Sequence, residues 1–236
     1  MRMPGLFFLC TVASFSLARE APPEVAPPGD KTSAKLQALS AGAKVLQSQS
    51  PPAQLDAYLV GLHPMKDHPD MQVEAHHYCR QVNADFAQCA LFDGNTADAN
   101  LNGIEYIISA RLYAQLPEGE KRYWHPHNYE ILSGQLVGPG LPDAAEKAFL
   151  ATKMNSYGKT WHVWNTGHFG KNDADRLPVG DPELAWSFTR DGEALPGLVQ
   201  RMEQRVGVDV GKKRKERRDL TAEVKPAAQL SSPSEK

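Results

Sequence analysis

Two short runs, His76-His77-Tyr78-Cys79 and Gln88-Cys89-Ala90-Leu91, flank the segment Val82-Asn83-Ala84-Asp85-Phe86, whose Asn and Asp favour a tight turn. The pattern predicts a β-hairpin over residues 75–93, and it commits this part of the chain to an antiparallel sheet. Centring the hairpin on Ala84 sets Cys79 directly opposite Cys89. Opposed Cβ atoms in a non-hydrogen-bonded pair lie close to disulfide range. The register therefore predicts either a Cys79–Cys89 bridge or two small buried thiols, and a one-residue bulge in the turn would spoil the alignment.

Further along, Ile104-Glu105-Tyr106-Ile107-Ile108 has the β-branched and aromatic content of a strand. Alternation puts Ile104, Tyr106 and Ile108 on one face and Glu105 on the other. Thr160 to Trp164 reads as another strand, and Ile131 to Val137 as strand, Ser-Gly turn, strand. Helices are expected from a Thr32 or Ser33 cap to Leu46, from Ser109 to Leu116, from Pro142 to Gly158 and over Leu195 to Val206. Residues Ala53 to Leu62 read as a short amphipathic piece and His63 to Asp70 as a loop. The expected fold class is α+β, an antiparallel sheet built from hairpins with flanking helices.

At 236 residues the chain suits one core with appendages. Arg2, the apolar run Leu6 to Phe15 and the small residues Ser16-Leu17-Ala18 identify residues 1–18 as a cleaved signal peptide. A membrane anchor needs roughly 20 apolar residues, and this run has about half that. Residues 19–31 then form a disordered Pro-rich linker, 32–210 a single domain, and 211–236 a basic, disordered tail containing Lys212 to Arg218. The product is expected to be exported, periplasmic or extracellular, soluble or peripheral, with no transmembrane segment in the mature chain. A net charge of −2 provides no field that selects nucleic acid. The basic tail has two readings, contact with an anionic membrane surface or a solvated end.

The chemistry-bearing residues concentrate in Tyr123-Trp124-His125-Pro126-His127-Asn128-Tyr129-Glu130, and other histidines lie in predicted strands at His76, His77 and His162. Imidazole suits divalent transition metals such as zinc, with ligands drawn from several strands or loops. Pro126 favours an extended His125, so His125 and His127 point the same way, and His162 or His77 is the candidate third nitrogen. The same alternation turns Glu130 away. The competing reading is a set of histidines hydrogen-bonded in a polar, aromatic-lined interior. No phosphate-binding glycine loop, nucleophile elbow or zinc-protease helix motif is present, so no reaction class is singled out.

Several motifs occur together in one order: His76-His77-Tyr78-Cys79, Asn83-x-Asp85-Phe86-x-Gln88-Cys89, Gly103 to Ser109, Tyr123 to Glu130, and Tyr157-Gly158-Lys159-Thr160-Trp161-His162-x-Trp164. In this the chain resembles the oil-body-associated proteins, over roughly residues 70–206. The resemblance implies association with lipid droplets. It supplies no established reaction and no catalytic residues. Plant members act in the cytosol, on the phospholipid monolayer around oil, whereas this chain carries an export signal, so droplet location does not transfer directly. Together these readings favour an exported, non-enzymatic protein that binds lipid or an apolar ligand. The alternative is a metal-binding protein or metal-dependent enzyme using His125, His127, His162 and His77.

Overall fold

A computed structural model describes residues 18–47 and 50–225. Its framework is one antiparallel sheet: β1 (Ala57–Pro64), β2 (Gln72–Asn83), β3 (Phe86–Phe92), β4 (Leu101–Ile108), β5 (His125–Pro126), β6 (Tyr157–His162) and β7 (Glu183–Ala185). The first four strands form a meander, β6 pairs with β4, and β5 and β7 both pair with β6. Past Pro64 the chain runs along the opposite edge: Lys66 N donates to Leu184 O, and Trp186 N donates to Pro64 O. The twisted sheet thereby curls until its first strand meets its last, which satisfies edges that would otherwise stay open. It acquires a concave interior and a convex exterior.

The hairpin has the expected register. Cys79 pairs with Cys89, and the two are joined by a disulfide. The irregularity in pairing falls between Gln81 and Asn83, on the turn side of the cysteines, so it leaves their alignment intact. Asn83 Oδ1 accepts from Asp85 N at 2.9 Å, the side-chain-to-backbone bond that makes Asn a turn residue.

Helices pack on two sides. The helix α1 (Ala34–Leu46) is capped by Ser33, and none of its residues is buried. Two short helices, α2 (Ala110–Ala114) and α3 (Glu118–Lys121), lead to α4 (Asn128–Ser133) and α5 (Asp143–Ala151). Ile131 of α4 and Leu150 of α5 meet Leu59, Leu136 and Leu220 in one apolar cluster at an end of the sheet. The helix α6 (Leu198–Val206) buries Leu198, Met202 and Val206, four residues apart on one stripe, against Val60 and Leu62 on the outer face of β1.

Several expectations are corrected. The segment expected as a short helix from Ala53 is strand β1 from Ala57 onward, and His63 lies within it rather than in a loop. Ile131 to Val137 is no hairpin. Gly134, at φ 82°, closes α4 as a left-handed cap, which its Ser-Gly signature suits as well as it suits a turn. The basic run is not a disordered tail through residue 225. Val210–Glu216 forms α7, capped by Asp209, and a 3-10 turn follows over Arg218–Glu223. Arg217 is wholly buried, donating to Ile131 O and Leu136 O and pairing with Glu146, while Lys213 reaches Asp143 and Glu146. Acidic partners distant in sequence draw Lys213 and Arg217 out of water, while Lys212, Arg214, Lys215 and Arg218 stay exposed. The Pro-rich stretch has no regular structure, yet it is docked: Ala21 and Val25 are buried, and Arg205 pairs with Glu24. Residues 1–17, which carry nearly all of the expected signal peptide, and 226–236 lie outside the described residues.

Candidate functional site

Strand β4 inverts the usual pattern for a half-buried strand. Its isoleucine and tyrosine look outward, with Ile104 40% and Tyr106 41% exposed, while Glu105 between them points inward and is 3% exposed. Neighbouring strands send matching groups to the same interior. His63 comes from β1, His77 from β2, Thr160 and His162 from β6, His125 from β5, and His127 from the turn into α4. Every one of these side chains is buried.

Glu105 is the centre. Its Oε1 lies 3.2 Å from His127 Nε2, 3.5 Å from His125 Nε2 and 2.9 Å from Thr160 Oγ1, and its Oε2 lies 3.3 Å from His77 Nε2. One oxygen of Glu105 and one nitrogen each of His125 and His127 all fall within 4.8 Å of one another. The backbone leaves space for this only because residue 158, between β4 and β5, is glycine. A Cβ there would stand 2.2 Å from Glu105 Oε1, 2.6 Å from His127 Nε2 and 2.8 Å from His125 Nε2.

Hydrogen bonds on the far side of two rings fix their tautomers. His77 Nδ1 donates to Ala75 O at 3.1 Å, since a carbonyl can only accept. Ser156 donates its hydroxyl proton to Lys153 O at 2.7 Å, so its oxygen accepts from His127 Nδ1 at 2.8 Å. These bonds aim the Nε2 atoms of His77 and His127 at the Glu105 carboxylate. Neither ring nitrogen of His125 has a hydrogen-bond partner.

Electrostatics follow from this crowding. Burial pushes Glu105 upward, but the neighbouring imidazoles of His125, His127 and His77 outweigh it and hold the carboxyl well below its usual range. Burial lowers His63 and His125, and takes His162 down to about 3, with the other histidines adding repulsion. Burial also opposes charge on His127, yet Glu130 and Glu105 prevail and raise it. Glu130 itself rises to about 7, chiefly through burial.

Of the sequence-predicted residues, His125, His127 and His77 come together. His162 shares the interior, but its Nε2 bonds His63 Nδ1 at 3.1 Å instead of facing Glu105. His76 points to the other face, bonding Tyr58 and Glu74. Glu130, expected to face away, is buried with Oε1 3.9 Å from His127 Nε2, because the strand ends at Pro126 and a helix begins. For the same reason Tyr129 leaves the histidine face and bonds Asp191. Sequence reasoning missed Glu105 and His63. The available signal for Glu105 was a lone carboxylate in an otherwise apolar strand.

The exterior of β3, β4 and β6 is aromatic; α2 packs over its Ile108 and Tyr157 end, and the part around Ile104 and Tyr106 stays exposed. Phe86 stacks on Tyr106 at 6.0 Å, Trp161 pairs with Ile104 across the strands, and Tyr123 lies 6.2 Å from Trp161. Lys159 and Arg122 sit over the Tyr123 ring at 5.1 and 4.8 Å, and Lys159 is also paired with Glu120 at 2.6 Å. Among the described residues no helix is long and apolar enough to cross a membrane.

These features define a class: an α+β protein whose curled antiparallel sheet encloses a histidine–carboxylate cluster and keeps an aromatic face outside. Residues 49–221 match the family described as a protein of unknown function, DUF1264. The chain belongs to the oil-body-associated protein family. It is 37% identical to oil body-associated protein 1B of Arabidopsis thaliana over 78% of this chain and 74% of that protein. Against the Zea mays proteins 1A and 2A the identities are 36% and 37%, covering 80% and 84% of this chain and 78% and 77% of theirs. No solved structure matches the chain.

Proposed function

We propose that this is an exported, non-enzymatic protein that associates with anionic phospholipid surfaces through the outer face of β3, β4 and β6. The observation that carries the reading is the inverted alternation of β4, which leaves Ile104 and Tyr106 in water while burying the intervening carboxylate. Apolar side chains held on a rigid strand, beside the aromatic Phe86, Trp161 and Tyr123, make a surface suited to an apolar boundary, and Lys159 and Arg122 suit its headgroups. The relatives' names, which associate them with oil bodies, support a lipid partner. The Cys79–Cys89 disulfide supports an oxidising destination.

The exposed portions of Ile104 and Tyr106 together amount to on the order of 150 Å², and burying that area is favourable by about 4 kcal/mol. Flotation with phospholipid vesicles containing anionic lipid, and with phospholipid-coated triglyceride droplets, tests this. The wild type should rise with lipid, and an Ile104→Ser/Tyr106→Ser variant should lose partitioning by at least about a hundredfold. Wild-type protein that stays at the bottom, or a double variant that floats equally well, refutes the lipid reading. For export, the intact mass of the product should begin at Arg19, and retention of residues 1–18 would exclude it.

A further inference from the structure

The cluster inside the sheet has the geometry of a ligand set as well as that of a hydrogen-bonded core. We propose that Glu105, His125 and His127 form a binding site for one divalent first-row transition-metal ion. The inference goes beyond lipid association and does not depend on it.

Four observations converge. Bonds donated by Nδ1 of His77 and His127 on the far side of each ring hold Nε2 toward Glu105, at 3.3 and 3.2 Å. His125, fully buried, has two ring nitrogens without hydrogen-bond partners, and its Nε2 stands 3.5 Å from Glu105 Oε1, beyond an ordinary hydrogen bond. A ligand nitrogen needs no such bond.

The separations themselves are those of ligands sharing an ion. Atoms about 2.1 Å from a tetrahedral zinc-like centre lie about 3.4 Å from each other. The contacts of His127 and His125 with Glu105 Oε1, 3.2 and 3.5 Å, bracket that edge. The outer bond from His127 Nδ1 to Ser156 is of the kind that orients a metal-bound imidazole. Imidazole donors disfavour calcium and magnesium and favour ions of the zinc, copper, iron and nickel group. His162 is left out of the set, because its Nε2 is engaged with His63.

The purified protein, freed of metal with a chelator, is titrated with Co²⁺ while ligand-field absorption is followed, and metal content after growth in zinc-supplemented medium is measured by elemental analysis. One ion per chain should bind, displaced by Zn²⁺, with a rise in melting temperature. Glu105→Gln and His127→Gln should each weaken Co²⁺ binding at least about tenfold, while His162→Gln leaves it unchanged. Wild-type protein that takes up only a small fraction of an equivalent by both routes overturns the proposal, whether or not any variant folds. So does wild-type affinity in folded Glu105→Gln and His127→Gln, since the cluster would then hold its charge with protons alone.

Discussion

Replacing Gly158 by alanine tests the packing of the buried cluster most directly. No positive φ is involved, so the consequence comes from space alone. The residue is paired to Ile107 on one side and His125 on the other, which prevents its strand from sliding away. The new methyl would stand 2.2 Å from Glu105 Oε1, and reaching ordinary contact near 3.4 Å demands a retreat of about 1.2 Å. His127 Nε2 and His125 Nε2, at 2.6 and 2.8 Å, would have to move as well. A carboxylate displaced that far loses its bonds to Thr160 and His127. Overpacking costs about 1–3 kcal/mol, and a lost hydrogen bond to a buried charge about 1.5–3 kcal/mol more. The sum, about 2.5–6 kcal/mol, corresponds to a melting temperature lower by upwards of about 5 °C for a domain of this size. Scanning calorimetry at fixed pH and metal content measures it. Gly119→Ala is the control, because nothing lies within 4 Å of a Cβ there, and its melting temperature should hold or rise slightly. A Gly158→Ala protein melting within about 1 °C of wild type would show that the site is not packed as described.

Two further outcomes concern stability. Intact mass with and without reductant should differ by two hydrogen atoms for the Cys79–Cys89 bridge, and the Cys79→Ser/Cys89→Ser variant should lose about 2.5–3 kcal/mol in denaturant unfolding, the chain-entropy value for so short a loop. Hydrogen bonds from Lys212 and Lys213 hold the Asp143 carboxyl down to about 2, below its unfolded value near 3.9. A depressed folded pKa stabilises above the unfolded value and is lost as pH falls from about 4 to about 2, and partial exposure keeps this share under about 1 kcal/mol. Asp143→Asn should therefore lower the denaturant midpoint slightly at pH 6 and leave it unchanged near pH 2, and the opposite pH dependence would contradict the assignment.

Local patterns were legible where local chemistry decided them. The turn residues of the hairpin, the β-branched strand β4 and the Ser33 cap of α1 all followed from neighbours in sequence. Misreadings arose where a signal had two physical uses. Gly134 after Ser133 serves a hairpin or a helix cap, and burial of Ile131 among Leu59, Leu136 and Leu150 selected the cap. Residues Ala57 to His63 read as a helix and a loop, because a strand covered on both faces lacks the alternation that announces it. Arg217 lay in a charge run that resembles a solvated tail, and only Glu146 and two backbone carbonyls, far away in sequence, explain its burial.

The sequence by itself determined which residues share a strand face, which cysteines oppose each other, and to which family the chain belongs. Those are properties of spacing and order. Only the tertiary structure decided which face is the inside. Alternation separates Ile104 and Tyr106 from Glu105, but nothing local says that the carboxylate is the buried one. That depends on the sheet curling until β1 meets β7, which turns one face into an interior and gathers His63, His77, His125, His127 and His162 around Glu105 from distant parts of the chain.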